Sequence, residues 1–268
     1  TIVRYTRLGT SADIGAQGSY LAVDNNSTIH VVWRDFNTNT LHYSRSSDIG
    51  DSWDPVRSII NIVPNGNTLP TGTFRTPTMP VLAIDNTDGP FSGSIYVAWN
   101  DLSTGDSDIL LACSRDGGET WSENYTRVNN DTVGNGAYQF FPAMVISPQG
   151  WIHLMFLDTR YDPELALLGV TYAVSVDGGL NFSINLNVST VLFNGDYGGR
   201  AYWTELLPGG DVGFVGDYLG IAANNETAFL TWGDCRNATP TDGNSDIYAA
   251  LVVFAGQNGT VNDTYNFM

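Results

Sequence analysis

The stretch "SRDGGETW" at residues 114–121 has two relatives in the same chain, "SSDIGDSW" at residues 46–53 and "SVDGGLNF" at residues 175–182. A catalytic motif occurs once. Ser-x-Asp-x-Gly-x-polar-aromatic written three times at near-regular spacing marks a repeated structural unit. Upstream of each box lies a second recurring phrase, closing on Asp35, Asp101 and Asp158, with a fourth copy closing on Asp234. Each phrase is an apolar run, a polar turn and an alternating run ending in aromatic-x-Asp, which reads as a β-hairpin by period and by turn chemistry. A third run follows each hairpin, starting near Leu41, Asp108, Gly169 and Asp246. In the first three units the box and then a fourth run come next.

No helical period is sustained along the chain. The expected fold is therefore all-β, a β-propeller of four-stranded antiparallel blades forming one domain over residues 1–268. Four units of about 60–75 residues are visible, with room for a fifth or sixth blade, and residues 185–213 are where a fifth would hide. The last unit shows three strands and no box. Tyr5-Thr6-Arg7-Leu8 echoes Tyr125-Thr126-Arg127-Val128, the fourth run of unit two. Residues 1–10 thus read as a fourth strand that closes the ring beside the run from Asp246 to Val252, removing an open sheet edge.

The boxes fall between strands three and four, where the chain reverses tightly. Gly50, Gly118 and Gly179 can take positive φ without steric cost, and Asp48, Asp116 and Asp177 can accept backbone N–H bonds across the turn. Ser46, Ser114 and Ser175 open the boxes, while Trp53, Trp121 and Phe182 close them with a ring that fills space between neighbouring sheets. These boxes resemble the Asp-box (BNR) repeats of the sialidase superfamily, whose members are β-propellers. The resemblance covers most of the chain and speaks for fold; the boxes occur in hydrolases and non-hydrolases alike.

Strand direction alternates, so all boxes lie on one face of the ring. The segments after each aromatic-x-Asp lie on the other, together with Arg75 in "FRTP". Function is expected there, near the axis. What the sialidase resemblance implies is an arginine cluster for a substrate carboxylate, an acid/base Asp, and a Tyr nucleophile activated by Glu. "FRTP" is similar to the family's Arg-Ile-Pro motif with Thr in place of Ile. The stretch from Asp101 through the second box resembles the segment carrying the acid/base Asp, implying Asp106 or Asp108; Glu205 resembles the family's Glu, and Arg160 and Arg236 complete the arginine set. Against catalysis, Asp108 has a blade-pattern twin in Asp246, and no Tyr is pinned by a motif. The leading expectation is a non-catalytic propeller that binds a glycan or protein on the face opposite the boxes, or associates with itself, with Tyr161, Tyr202 and Trp203 as stacking candidates. The alternative is an exo-sialidase-like glycoside hydrolase.

Net charge is −17 and all eleven basic side chains are Arg, which argues against nucleic acid and against anionic membrane surfaces. No apolar run reaches membrane-spanning length. Asn-x-Ser/Thr occurs at Asn25, Asn26, Asn124, Asn130, Asn181, Asn187, Asn225, Asn237, Asn258 and Asn262, the signature of a secreted or cell-surface glycoprotein. Cys113 and Cys235 are compatible with one disulfide or two thiols. Asp242, Asn244 and Asp246 alternate as in the first half of a calcium loop, without the downstream Glu, so Ca2+ is the one metal suggested and an Asx-rich turn is the simpler reading; no cofactor is expected. His30, His42 and His153 lack metal-ligand spacing and are assigned to structure.

Overall fold

The computed structural model describes residues 6–8, 15–66, 68–72, 74–182, 184–198, 216–239, 242–255 and 260–267. They form four antiparallel sheets, each a four-stranded meander in chain order, the blades of a β-propeller. Blade 1 consists of β1 (Ala16–Val23), β2 (Ile29–Asp35), β3 (Thr40–Ser46) and β4 (Arg57–Asn61). Blade 2 consists of β5 (Val81–Ile84), β6 (Ile95–Asp101), β7 (Asp108–Ser114) and β8 (Thr126–Arg127). Blade 3 follows with β9 (Gln139–Ile146), β10 (Ile152–Asp158), β11 (Gly169–Ser175) and β12 (Ile184–Asn187). Blade 4 comprises β13 (Gly220–Ala223), β14 (Thr227–Asp234), β15 (Asp246–Ala255) and β16 (Thr260–Phe267). The first strands meet in sequence, β1 against β5, β5 against β9 and β9 against β13, so they are the innermost strands.

The core lies between sheets. Val32, Leu41 and Tyr43 of blade 1 pack on Leu82, Val97 and Trp99 of blade 2. Tyr96 and Leu111 meet Leu154 and Phe156 across the next junction, and Met155 and Tyr172 meet Leu230 and Trp232 across the third. Every residue of β6, β10 and β11 is buried. Both faces of a middle blade carry apolar side chains because both are covered.

Each box is a hydrogen-bonded turn of one design. Ser114 Oγ donates to Asp116 Oδ1 at 2.8 Å and accepts from the Gly118 N–H at 2.8 Å; the Thr120 N–H and hydroxyl both donate to Asp116. Ser46–Asp48–Gly50–Ser52 and Ser175–Asp177–Gly179–Asn181 repeat it. These donors hold Asp48 and Asp116 at about 2, below the usual carboxylate value; the side-chain bonds from Ser52 and Thr120 are the largest cause. The preceding blade then locks the turn. Tyr43 Oη donates to the Gly117 carbonyl at 3.2 Å, Arg45 Nη1 donates to the same oxygen at 2.5 Å, and Arg115 Nη2 donates to the Gly178 carbonyl at 2.6 Å. Gly118, at φ +92°, lies flat on the Tyr43 ring, leaving no room for a Cβ. Trp121 packs edge-on to Tyr43 at 5.3 Å, and Phe182 is buried between blades 2 and 3. Trp53 is only half-buried, since the face it borders belongs to the first blade.

A second device occurs in blades 1 and 3, on the faces turned to blades 2 and 4. His30 Nδ1 and His153 Nδ1 each lie 2.6 Å from a tyrosine hydroxyl, of Tyr43 and Tyr172 respectively. His153 is also stacked on Phe254 of blade 4 at 5.2 Å. Burial pushes the His153 imidazole down to about 3, and burial is also the largest cause lowering His30, against the opposing pull of Asp24.

The ring-closing strand is corrected. The edge of β15 expected to receive residues 2–8 pairs with β16 instead, from Ala249↔Phe267 to Ala255↔Thr260, and Thr6–Leu8 form no strand. The last unit thus has its fourth strand from its own C-terminal side; of the expected strand at 1–10, residues 1–5, 9 and 10 lie outside the described residues. Of the stretch searched for a fifth unit, the described part holds β12 and a 3-10 turn at Gly195–Tyr197. Cys113 and Cys235 are separate thiols, one on β7 and one just after β14.

Two measurements check this account. Gly50 and Gly118 share positive φ, but only Gly118 is covered by the preceding blade. Gly50→Ala should cost about 1 kcal/mol in urea unfolding and Gly118→Ala about 2 kcal/mol more, because the added methyl meets Tyr43. The depressed histidines favour the folded state fully above their unfolded value of 6.5, and that contribution is lost as pH falls toward the folded values. Unfolding midpoints should therefore decline between about pH 6.5 and 4.5, above the range where the box aspartates titrate, and His153→Gln should flatten the decline.

Candidate functional site

Four inner strands converge on a cleft of about 280 Å³ lined by residues 17–20, 79–81, 141–143 and 217–219, with Arg75 at its side. It opens on the face of the strand 4-to-1 connections, opposite the boxes. Two β-bulges shape it. Register slips between Gln17 and Tyr20 of β1, where Gly18 takes φ +65° and a Cβ would lie 2.5 Å from Met79 Sδ. It slips again in β9, where Phe141 takes φ +53°. Bulges re-aim side chains at the cost of local strain, and both occur at this one place.

The charged centre of the cleft is an ion pair between Arg75 and Asp217, which brings the 4-to-1 connection of blade 1 against the segment entering blade 4. Burial raises the Asp217 carboxyl above its ordinary value, and the charge and hydrogen bond of Arg75 pull it partly back. The Arg75 side chain is 44% exposed and that of Asp217 17%, so the guanidinium faces the opening. Tyr20 and Tyr218 leave 43% and 89% of their surface exposed at the rim. The chemistry on offer is a partly desolvated carboxyl, a guanidinium beside it and two aromatic rings. Among the described lining residues Asp217 is the one carboxylate.

The other expected site residues are spent elsewhere. Asp106 accepts from the Gly134 and Gly136 N–H groups at 3.2 and 2.7 Å, anchoring the loop into blade 3. Asp108 is fully buried, accepting from Asn129, Thr104 and Arg127. Its pairing with Asp101 matches that of Asp246 with Asp234, so the pattern twin is a positional twin. Arg160 is held by Asp158 at 2.6 Å and by Asn130, and Arg236 by Asp234 at 2.6 Å while lying over Tyr248. Neither belongs to the cleft, so the three arginines do not converge. Each aromatic-x-Asp carboxylate caps its own loop, from Asp35 on the Asn37 N–H to Asp234 on the Arg236 N–H. Tyr161 is half-buried, its hydroxyl on Thr171; Glu205, Tyr202 and Trp203 lie outside the described residues.

Asp242, Asn244 and Asp246 are exposed, with Asp246 Oδ2 near the Asn237 amide, and among the described residues no group of three His, Cys, Asp or Glu is placed to hold a metal. Asn25, Asn26, Asn124, Asn130, Asn181, Asn187, Asn225 and Asn237 are all exposed; Asn258 and the side chain of Asn262 lie outside the described residues. The Asn181 amide is engaged by the box carboxylate of Asp177 at 2.8 Å.

The sequence reading singled out Arg75 and passed over Asp217, Tyr20 and Tyr218. The available signal was position: Asp217, like Arg75, stands shortly before a first strand, on the connection that reaches the axis.

No protein-family model and no curated protein matches the chain. Solved structures do. An α-L-arabinofuranosidase of Fusarium graminearum, solved with an iminosugar inhibitor, superposes with a TM-score of 0.54 at 12% identity over 93% of this chain and 69% of its own. An α-L-arabinanase of Penicillium chrysogenum complexed with arabinobiose gives 0.52 at 14%, over 94% and 66%. The intramolecular trans-sialidase of Ruminococcus gnavus gives 0.50 at 15%, over 85% and 40%. The chain thus spans about two-thirds of the arabinan-directed enzymes and less than half of the trans-sialidase. At these identities the likeness carries the fold, an all-β propeller with four-stranded blades.

A titration tests the ion pair. Arg75 lowers the Asp217 carboxyl by its charge and its hydrogen bond, so Arg75→Ala should move its NMR-detected titration to higher pH than in the parent. An unchanged titration would mean that the two groups do not interact.

Proposed function

We propose that this chain is a glycan-directed propeller of the glycoside-hydrolase kind, taking a saccharide into the axial cleft. The observation that carries the reading is the Arg75–Asp217 pair set among exposed tyrosines where four inner strands meet. Burial raises the Asp217 carboxyl while Arg75 draws it back, and a half-buried carboxyl beside a guanidinium is the kind of group that proton transfer to or from a glycosidic oxygen uses. Tyr20 and Tyr218 offer apolar faces for a sugar ring. The solved structures with this fold that bear hydrolase names favour the same reading over a purely non-catalytic module, although their identity to this chain is low. Glycoside cleavage requires a second group opposite the acid; the sialidase resemblance implies a Tyr nucleophile activated by a Glu in that role, with Glu205 as the Glu, outside the described residues.

The favoured substrate is an uncharged sugar. Sialic acid would need an uncompensated guanidinium for its carboxylate, whereas Arg75 is already matched by Asp217, and the other two candidate arginines are held by Asp158 and Asp234. A net charge of −17 further disfavours an anionic ligand. The second reading, a binding module on the same cleft, draws on the single described carboxylate there.

The test is a panel of chromogenic glycosides, including an α-L-arabinofuranoside and a sialoside, with calorimetric titration of arabinobiose alongside. The expected result is turnover of a neutral glycoside that falls at least about 100-fold in Asp217→Asn. Saccharide binding without turnover would assign the cleft to the binding module. Sialoside cleavage would overturn the neutral-sugar reading, and neither binding nor turnover would remove the cleft from carbohydrate chemistry.

A further inference from the structure

Blades 2 and 3 meet at their box turns over a groove of about 310 Å³, on the face opposite the axial cleft. It is lined by Leu111 and Cys113 of β7, by Trp121 from the box of blade 2 and by Leu180 from the box of blade 3, the last 67% exposed. Burial pushes the Cys113 thiol up to about 11, so that group is neutral. Arg115, the one charged residue of the lining, is engaged by Ser94, Tyr96 and the Gly178 carbonyl. Asn124 and Thr126 line the groove too, and they are the amide and the hydroxyl of one Asn-x-Thr site in "WSENYT" at residues 121–126. Thr126 Oγ1 donates to the Gly179 carbonyl at 2.7 Å, which holds this segment against blade 3. Other asparagines of such sites are tied down: Asn25 Nδ2 donates to the Asn86 carbonyl and Asn181 Nδ2 to Asp177, while Asn130 and Asn187 accept from Arg160 and Ser189. The Asn124 side chain is exposed and makes no hydrogen bond among the described residues.

We propose that Asn124 carries an N-linked glycan whose first sugar residue lies in this groove and joins blade 2 to blade 3. The attachment forms a bond from Asn124 Nδ2 to the anomeric carbon of the sugar and breaks that carbon's bond to the pyrophosphate of a lipid-linked oligosaccharide donor; the amide proton leaves with the lipid pyrophosphate. A pyranose has a face of C–H groups and a polar rim, which suits an indole and two leucine side chains bordered by the Thr120 and Ser122 hydroxyls. The Trp121 indole N–H is buried without a partner among the described residues, and an acetamido carbonyl is an acceptor of the kind it lacks. The sugar is tethered at the edge of the groove, so weak contacts suffice to seat it. A neutral sugar is also the ligand that a net charge of −17 does not repel. The proposal does not depend on the use of the axial cleft.

The chain is secreted from yeast, which attaches N-linked glycans, and made in parallel in a bacterial host that attaches none. Peptide mass mapping should find Asn124 occupied in the yeast product, and endoglycosidase H then trims each glycan to its first N-acetylglucosamine. In the trimmed protein Asn124→Gln should lower the unfolding midpoint by about 2–4 °C. In the bacterial protein the same variant should leave the midpoint unchanged, because the bare side chain holds nothing. Leu180→Ser, an exposed change on the other side of the groove, should remove about half of the difference between the two hosts. Nuclear Overhauser contacts should connect the trimmed sugar to the Trp121 ring. An unmodified Asn124 in the yeast protein overturns the proposal. So does an Asn124→Gln effect equal in both hosts, a difference undiminished by Leu180→Ser, or a sugar without contacts to Trp121.

Discussion

A four-stranded sheet that is apolar on both faces cannot exist alone in water; it needs another sheet on each side, and this requirement organises the whole molecule. The middle strands β6 and β10 are buried along their full length because blades 1 and 3 cover one of them and blades 2 and 4 the other. Burial here comes from repetition rather than from a layer of helices. The same requirement explains why the end blades look different, with β1 exposed at positions that β5 buries.

The boxes serve that stacking. Within its own blade each box satisfies the N–H groups of a tight turn with a serine hydroxyl and an aspartate. Towards the preceding blade the boxes of blades 2 and 3 present a glycine with no side chain, against Tyr43 and Leu111 respectively, and a carbonyl that accepts from Arg45 or Arg115, and these contacts lock two sheets together. A box is therefore a joint between blades as much as a turn within one. The histidine–tyrosine pairs work at the junctions of blades 1 with 2 and 3 with 4, buried, satisfying two polar groups with one short bond.

Polar residues on the opposite face are largely consumed in the same way. Asp108, Asp131, Asp158, Arg127 and Arg160 form a network across the junction of blades 2 and 3, with Asn129 donating to Asp108 and Asp131 at 2.6 and 2.7 Å. Asp158 is pushed up by burial although Arg160, Gln139 and Thr171 all favour its charged form, and in Asp131 the bond from Asn129 and the two arginines outweigh burial and lower it. Charges tied down so fully orient loops. The axial cleft differs in that its guanidinium, paired with Asp217, remains partly exposed.

Much of the fold was legible because its signals are local. Hairpin alternation, aromatic-x-Asp closing a strand and Ser-x-Asp-x-Gly marking a turn each depend on residues a few positions apart, so the sequence sufficed for blades, box turns and the face on which each loop lies. Two things escaped it. The fourth strand of the last unit, with weak alternation and no box before it, could not be told from an unplaced tail, and only pairing along β15 decided between it and the echo at residues 5–8. The site escaped more fully. Arg75 was found by likeness to a motif, but its partner Asp217 is 142 positions away in sequence, and nothing local distinguishes it from Asp106 or Asp108. Which aspartate holds a backbone loop, which is buried under an arginine and which faces a cleft is fixed by where the inner strands converge. That convergence exists only once the sheets have stacked.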